Sequence, residues 1–200
     1  MDNALNILIS TWIKLFFVLA PFFVLTMFLA LTRSFTPQQQ RRTAVKVTVA
    51  VYVICMCLYF FGDTIFAIFG ITLDAFRIGA GALLFLSAVS LVRGPQPAQE
   101  PLAEGDISVV PLAIPITVGP ATTGALMVMG ATVRTPMERV MGSVSLLAAV
   151  LTVGGLLYLA NPIERMLGRI GISILTKLTG LILAALAAQI IFTGIRNFLG

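Results

Sequence analysis

The chain has 200 residues, of which 58% are hydrophobic and only 10% are charged, and its mean hydropathy is +1.03. Soluble domains carry roughly 25% charged residues, so this composition excludes a soluble globular protein. The net charge of +5 suits contact with anionic lipid headgroups, and its distribution gives no indication of nucleic-acid binding.

Six apolar segments are long enough to cross a bilayer, which takes roughly 17–25 residues of helix. In chain order they lie near Thr11–Leu31, Ala44–Phe61, Phe76–Val92, Ile107–Ala131, Val140–Ala160 and Leu178–Ile195. They account for most of the chain, so we expect an integral membrane protein with one all-α transmembrane domain over residues 1–200. The first segment lacks the basic start and the cleavage site of a signal peptide, so we expect it to be retained.

The first three predicted helices carry few polar groups. In the first helix Pro21 follows Ala20 and removes a backbone donor within the apolar run. Cys55 and Cys57 lie on nearly opposite faces of the second helix, so they neither pair nor share a metal ion. In the third helix, "GAGA" at Gly79–Ala82 places small residues at the spacing of close helix packing.

The fourth predicted helix is interrupted by prolines. Its sequence "PLAIPITVGPATTGALMVMG" runs from Pro111 to Gly130, carries no charge and includes Pro115, Gly119 and Pro120. Non-helical backbone at membrane depth is tolerated only where protein buries it or where it lines a water-filled cavity. Kinks of this kind also serve helix packing alone, so a binding site and a packing kink are both open explanations.

The half-helix that begins after the last proline offers groups that bind a zwitterion. The amides of Ala121, Thr122 and Thr123 are expected to form its positive dipole end, which attracts a carboxylate. Carbonyls freed by the prolines would accept from an ammonium group. The sequence therefore predicts a site for a small zwitterion in the fourth helix.

The two halves of the chain share features at an offset of 99 residues. The matched positions are Pro21 with Pro120, Thr36-Pro37 with Thr135-Pro136, and Tyr59 with Tyr158. We therefore predict repeats over about residues 1–93 and 107–200, joined by a polar linker over about 94–106. Because each repeat has three helices, the second enters the membrane from the opposite side. Such inverted repeats are typical of secondary transporters.

In inverted-repeat transporters, interrupted helices at matching positions of the two halves form the substrate site. Here the matching interruptions are Ala20-Pro21 in helix 1 and Gly119-Pro120 in helix 4. The predicted substrate-binding residues are Ala20, Pro21, Thr26, Thr117, Gly119, Pro120, Ala121, Thr122 and Thr123. Around the second interruption the side chains are small, which favours a small substrate.

The basic residues predict the orientation of the chain. With six helices, eight of the 13 Lys and Arg residues lie in the first, third and fifth loops. They are Arg33, Arg41, Arg42, Lys46, Arg93, Arg165, Arg169 and Lys177. Basic loops stay in the cytoplasm, so we expect both termini to lie outside.

Three segments carry a resemblance to a known family. "PLAIPITVGPATTGALM", "GITLDAFRIGAGALLFLSAVSLV" and "LTKLTGLILAALAAQIIFTGIRNF" look like the MarC family of bacterial inner-membrane proteins, also called the small neutral amino acid transporter family. The resemblance covers essentially the whole chain and implies a multi-pass protein of the bacterial plasma membrane. It further implies transport of amino acids such as glycine and alanine, which some members carry out.

One motif departs from the family pattern. The family usually has Asp-Pro-x-Gly-Asn in the first helix, whereas this chain has Ala20 in place of the aspartate, and Phe23 and Val24 in place of the glycine and asparagine. Pro21 is kept, and Thr26 is the nearest polar group. This half of the predicted site therefore lacks the carboxylate and amide that the family pattern implies.

The favoured function is secondary transport of small neutral amino acids by alternating access, coupled to a proton or sodium gradient. The alternative is a non-transporting inner-membrane protein that acts in stress, resistance or assembly. A channel is less favoured, because no ring of polar residues is evident. The chain has no histidine, and Asp63 and Asp74 lie near predicted helix ends, so we expect no enzyme, no metal site and no cofactor.

Overall fold

The computed structural model describes residues 2–94 and 108–199, and every element within them is helical. In chain order the elements are α1 (Asp2–Val18), α2 (Pro21–Leu31), α3 (Pro37–Phe69), α4 (Leu73–Arg93), a π-helix (Ser108–Thr117), α5 (Pro120–Thr132), α6 (Pro136–Tyr158) and α7 (Ala160–Leu199). The expected all-α class is therefore confirmed. Apart from Gly94, the predicted linker over 94–106 and the expected start of the fourth span at Ile107 lie outside the described residues.

The described residues contain four helices that are long and apolar enough to cross a membrane, namely α4, α6, α7 and the Pro37–Gly62 part of α3. The backbone of α7 is kinked at Gly168, where φ is 64° and ψ is 170°. Together α1 and α2 form a fifth candidate, bent by 41° at their junction. The π-helix and α5, of 10 and 13 residues, are each shorter than a span. Four or five candidate spans are thus found in this part of the chain, and the six-span plan stays a prediction.

Two helices begin with the same hydrogen-bonded motif. At the start of α3, the Thr36 hydroxyl accepts from the amide of Gln39, while the Gln39 side chain accepts from the amide of Thr36. Thr135 and Glu138 make the equivalent capping box at the start of α6. A proline follows each threonine, at the first position of the helix. An N–H at this position would have no partner within the helix, so proline costs no hydrogen bond there. These motifs fix where α3 and α6 begin.

The first predicted interruption is a sharp turn of the backbone between α1 and α2. Ala20 adopts the left-handed conformation, with φ 46° and ψ 56°. It is the only residue other than glycine with positive φ in the part of the chain that the structure describes. Pro21 then begins α2, so the chain changes direction at the position that the sequence predicted.

The buried side chains form two clusters. The larger joins α1, α2, α3, the π-helix, α5, α6 and α7, with Leu15, Phe28, Val47 and Leu146 among its members. The smaller lies mainly between α4 and α7 and includes Leu84, Ala88, Leu183 and Ala187, with Ala121 of α5. Many large apolar side chains on the outer faces are exposed, as expected of helices that face lipid.

Small residues bring α4 and α7 together in antiparallel orientation. A Cβ atom on Gly81 would lie 2.6 Å from Cγ1 of Ile191, and one on Gly180 would lie 2.9 Å from the carbonyl oxygen of Ala88. Lipid tails are as apolar as leucine, so helices in a membrane associate through close packing at such residues. Packing was the role predicted for the Gly79–Ala82 segment, and Gly81 agrees with it, whereas Gly79 faces open space.

Candidate functional site

The two predicted interruptions lie side by side. The hydroxyl of Thr122, in the first turn of α5, lies 3.2 Å from the carbonyl oxygen of Val18, the last residue of α1. The same hydroxyl lies 3.3 Å from the carbonyl oxygen of Thr117, the last residue of the π-helix. One hydroxyl therefore lies within hydrogen-bond distance of the chain ends before both breaks, although Thr122 and Val18 are 104 residues apart along the sequence.

A cavity of about 350 Å³, here called the break cavity, lies against this junction. Five of the nine predicted site residues line it, namely Ala20, Thr117, Gly119, Ala121 and Thr122. The structure thus brings the centre of the predicted site together from both halves of the chain. Their role in binding a substrate stays a prediction.

The other predicted site residues lie elsewhere. Pro21 is buried at the start of α2, and Pro120 begins α5. Thr123 is half-buried and is not part of the lining of the break cavity. Thr26 lines a second cavity, and its hydroxyl donates to the carbonyl oxygen of Phe22 at 2.9 Å.

The start of α5 differs in one respect from the expectation. Gly119 precedes the helix in extended conformation. Because it has no side chain, it supplies no side-chain acceptor to cap the first amides of the helix. The amide of Thr123 donates to the carbonyl oxygen of Gly119 at 2.9 Å and makes the first helical hydrogen bond. It is therefore not free for a substrate, and that part of the prediction is wrong. In the first turn of α5, only Ala121 and Thr122 have amides that precede the first helical hydrogen bond and so have no partner within the helix.

Thr117 is also tied into the backbone. Its hydroxyl donates to the carbonyl oxygen of Leu112 at 2.7 Å, within the π-helix. The amide of Val118 donates to the carbonyl oxygen of Ala113 at 2.9 Å, so the wide helical turn continues up to the break. Single π-turns are frequent at functional sites. The Thr117 hydroxyl can therefore accept a hydrogen bond from a ligand but cannot donate one.

The remaining wall of the break cavity comes from helices that the sequence did not assign to a site. Apolar side chains dominate, and they are Val18, Phe23, Met27, Leu84, Leu91, Ile116 and Leu183. Ser87 and Ser90 of α4 add the two hydroxyls of this wall. Because residues three apart share a helix face, the pair of serines in an apolar helix was the signal that α4 faces a cavity.

The second cavity, here called the vestibule, has a volume of about 570 Å³. Polar residues line much of it, and they are Thr26, Arg33, Gln40, Asn161, Glu164, Arg169, Ser173 and Thr176. Phe23, Leu91 and Gly94 line the vestibule as well as the break cavity. The two cavities are therefore neighbours, and Phe23 lies between them.

A buried chain of amides crosses one wall of the vestibule. The Gln40 side-chain amide donates to the carbonyl oxygen of Thr32 at 3.0 Å, and the Asn161 side-chain amide donates to Oε1 of Gln40. Sequence reasoning missed this set, because the link between Gln40 and Asn161 spans 121 residues. Nearby, Glu164 lies 3.7 Å from Arg169. Across the described parts of the chain, no group of three His, Cys, Asp or Glu residues could hold a metal ion.

The sequence profile of the MarC family integral membrane proteins matches residues 5–199. The chain belongs to the MarC family. It is 36% identical to UPF0056 membrane protein MJ1677 of Methanocaldococcus jannaschii over 208 aligned residues that cover 98% of each chain. It is 31% identical to UPF0056 membrane protein YhcE of Escherichia coli, over 93% of this chain and 90% of the relative. No solved structure matches it.

Family membership and the four or five candidate spans make this MarC family protein a multi-pass membrane protein. The names of these relatives describe membrane proteins and state no substrate. The resemblance to the MarC family is thus confirmed, while the narrower name of small neutral amino acid transporter stays a prediction.

Proposed function

We propose that this MarC family protein is a secondary transporter of small neutral amino acids in the bacterial inner membrane, working by alternating access. The observation that carries the proposal is the junction of the two breaks, where the Thr122 hydroxyl meets the carbonyl of Val18 beside a cavity. Transporters bind substrates at such paired interruptions, where half-helix ends meet near the middle of the membrane. The amides of Ala121 and Thr122 are the groups that would face a substrate carboxylate.

The pattern of helix contacts supports two inverted three-helix repeats and hence six spans, with α1–α2 and the π-helix–α5 pair as the interrupted ones. α1 packs on α6, and the π-helix packs on α3 in the equivalent way. α4 packs on α5, and α7 packs on α2. α3 packs on α6 and α4 on α7, each helix against its own counterpart. These paired contacts are what a pseudo-twofold axis between the halves requires.

Two aromatic contacts agree with the same relation. The guanidinium of Arg41, near the start of α3, lies 5.1 Å from the ring centre of Tyr158 at the end of α6. The guanidinium of Arg139, near the start of α6, lies 6.0 Å from the ring centre of Phe60 in the later part of α3. The helices α3 and α6 therefore make a cation–π contact near each of their ends.

The cavities support an arrangement that is open towards the cytoplasm. The vestibule is lined by Arg33, Gly94 and Arg169, which belong to the three loops predicted to be cytoplasmic. At the other end of the α4–α7 pair, Asp74 pairs with Arg77 at 2.5 Å and accepts from Asn197 at 3.3 Å. In this proposal both termini are outside, and one repeat rocks against the other under a proton or sodium gradient.

The test is transport by the purified protein in proteoliposomes. We expect a proton or sodium gradient to drive accumulation of labelled glycine, alanine or serine. Gly119→Leu should reduce the rate at least tenfold while the protein stays monodisperse, because the added side chain fills the break cavity. Gly155→Leu is the matched control, since Gly155 is exposed on α6 with no atom near its Cβ position.

Two outcomes would contradict the proposal. If no gradient moves any of the three amino acids, the non-transporting alternative is favoured. If Gly119→Leu transports as fast as Gly155→Leu, the breaks exist for packing and the substrate passes elsewhere.

A further inference from the structure

We propose that the vestibule contains a binding site for the ammonium group of the substrate, formed by Thr26, Asn161, Glu164 and Thr176. This inference rests on the proposed function in taking the substrate to be a zwitterion, and it adds a subsite outside the break cavity. The inference depends on the hydrogen bonds within the protein. They occupy donor atoms of the vestibule lining and leave acceptor atoms available to a ligand.

The buried amide chain fixes how Asn161 is oriented. The carbonyl oxygen of Thr32 can only accept, so it is the Gln40 amide nitrogen that faces it, at 3.0 Å. The Gln40 oxygen must then accept from the Asn161 amide nitrogen. Gln40 is buried and Thr32 is fully buried, so neither has water to replace these bonds. The Asn161 side chain is left with its oxygen, which accepts, and with one N–H that this chain of amides does not use.

Two threonines of the vestibule also have their donors occupied. The Thr26 hydroxyl donates to the carbonyl oxygen of Phe22, and the Thr176 hydroxyl donates to that of Ile172, each at 2.9 Å. A hydroxyl has one proton and two lone pairs, so each oxygen retains only acceptor capacity. The two residues belong to α2 and α7, on different walls of the vestibule.

Glu164 adds a negative charge to these acceptors. Its side chain is 35% exposed, whereas that of its neighbour Arg169, 3.7 Å away, is 80% exposed. An exposed pair at this distance is weak and readily exchanged, so the carboxylate is available to a ligand cation. Arg33 and Arg169 are both exposed residues of the vestibule lining.

This set of atoms selects an ammonium group. A primary ammonium has three N–H donors and no acceptor, which matches acceptors on Thr26, Asn161, Glu164 and Thr176. A carboxylate would be repelled by Glu164 and by the acceptor oxygens of the threonines. It would bind more favourably to the exposed guanidinium groups of Arg33 and Arg169. In the vestibule, which the substrate would occupy before it reaches the break cavity, a zwitterion would therefore bind with its ammonium group towards the threonines and its carboxylate towards the arginines.

The experiment uses fragments of alanine as probes. Thermal unfolding of the purified protein in lipid nanodiscs is measured with L-alanine, ethylamine, propionate and tetramethylammonium, at constant ionic strength. We expect stabilisation by L-alanine and ethylamine, which carry N–H donors on a cation. Tetramethylammonium has the charge without these donors, so it should not stabilise. Propionate has no such donors either, so any stabilisation by propionate reports a carboxylate site and not this one.

A matched pair of variants locates the site. Thr176→Val removes the acceptor and should weaken the apparent affinity for ethylamine about tenfold or more, as for a hydrogen bond to a charged group. Thr179→Val should leave it unchanged, because Thr179 is fully buried on the same helix and donates to Leu175 at 2.9 Å without lining the vestibule. Thr26→Val gives the same test from α2 if Thr176→Val does not fold.

The proposal is overturned if ethylamine does not stabilise the native protein, or if tetramethylammonium does so equally. It is also overturned if the affinity for ethylamine is the same in Thr176→Val as in Thr179→Val. Ethylamine binding without amino acid transport would uphold this subsite and contradict the proposed function. Alanine transport with unchanged ethylamine affinity in Thr176→Val would uphold the proposed function and contradict this subsite.

Discussion

At the scale of single residues, Ala20 is the most unusual position. It has the left-handed conformation, in which the Cβ atom of an L-residue crowds the carbonyl oxygen at a cost of roughly 1–2 kcal/mol. Glycine, asparagine and aspartate tolerate this conformation better, and aspartate is what the MarC family pattern implies here. Alanine keeps the turn and adds no side-chain cap to α2. The break at Ala20 therefore has the left-handed turn and no polar side chain.

Ala20→Gly should stabilise the protein or leave it unchanged, because the relief of crowding is partly offset by about 0.5–1 kcal/mol of backbone entropy. Ala20→Val should lower the free energy of unfolding by more than about 1 kcal/mol, since β-branched residues fit the left-handed region poorly. Thermal unfolding midpoints in detergent measure both. If the valine variant is as stable as the parent, the left-handed turn is not the native conformation.

At the scale of helices, a glycine sets the distance between α3 and α5. A Cβ atom on Gly130 would lie far inside van der Waals contact with the carbonyl oxygen of Tyr59. Both sides of this contact are backbone, so no side-chain rotation relieves it. The contact holds α5, which begins at the break cavity, against the long helix α3.

Gly130→Ala should therefore lower the free energy of unfolding by about 1–3 kcal/mol, the usual cost of overpacking. Gly155→Ala is the control, because its added methyl group meets no atom within 4 Å and alanine favours a helix over glycine by about 1 kcal/mol. The unfolding midpoints of the two variants should move in opposite directions. A shared direction would contradict the close contact between α3 and α5.

At the scale of the whole molecule, orientation in the membrane decides which way the vestibule opens. Eight of 13 basic residues lie in the loops predicted to be cytoplasmic, and the vestibule is lined by residues of those loops. The side to which the vestibule is assigned depends on the charge pattern, because Arg33 and Arg169 belong both to the cavity lining and to the basic loops. If the predicted orientation holds, the described arrangement is the inward-open member of an alternating-access pair in the proposed cycle.

Labelling of single cysteines tests this orientation, in a background where Cys55 and Cys57 are replaced. A cysteine at Gln39, in the first loop region, should be shielded from a membrane-impermeant thiol reagent in intact cells. A cysteine at Asn3 should react. The opposite pattern would reverse the orientation and turn the vestibule towards the outside.

Features set by local chemistry were predictable from the sequence, and features set by distant pairs were not. Proline and glycine mark the breaks at Ala20 and Gly119, because their effects act within one helical turn. The link from Gln40 to Asn161 depends on how helices pack, which a single sequence does not reveal. The expectation that Thr123 offers a free amide was wrong for a local reason, since Gly119 takes the N-cap position and accepts its hydrogen bond.

The antiparallel pairing of α4 with α7 also bears on how the protein is made. α4 ends at Arg93 and α7 begins only at Ala160, so α4 is synthesised first. At about 5–20 residues per second, the partner arrives on the order of ten seconds later. During that interval the Gly81 face of α4 has no α7 to cover it. Crosslinking of arrested nascent chains would measure whether the insertion machinery holds α4 until its partner emerges.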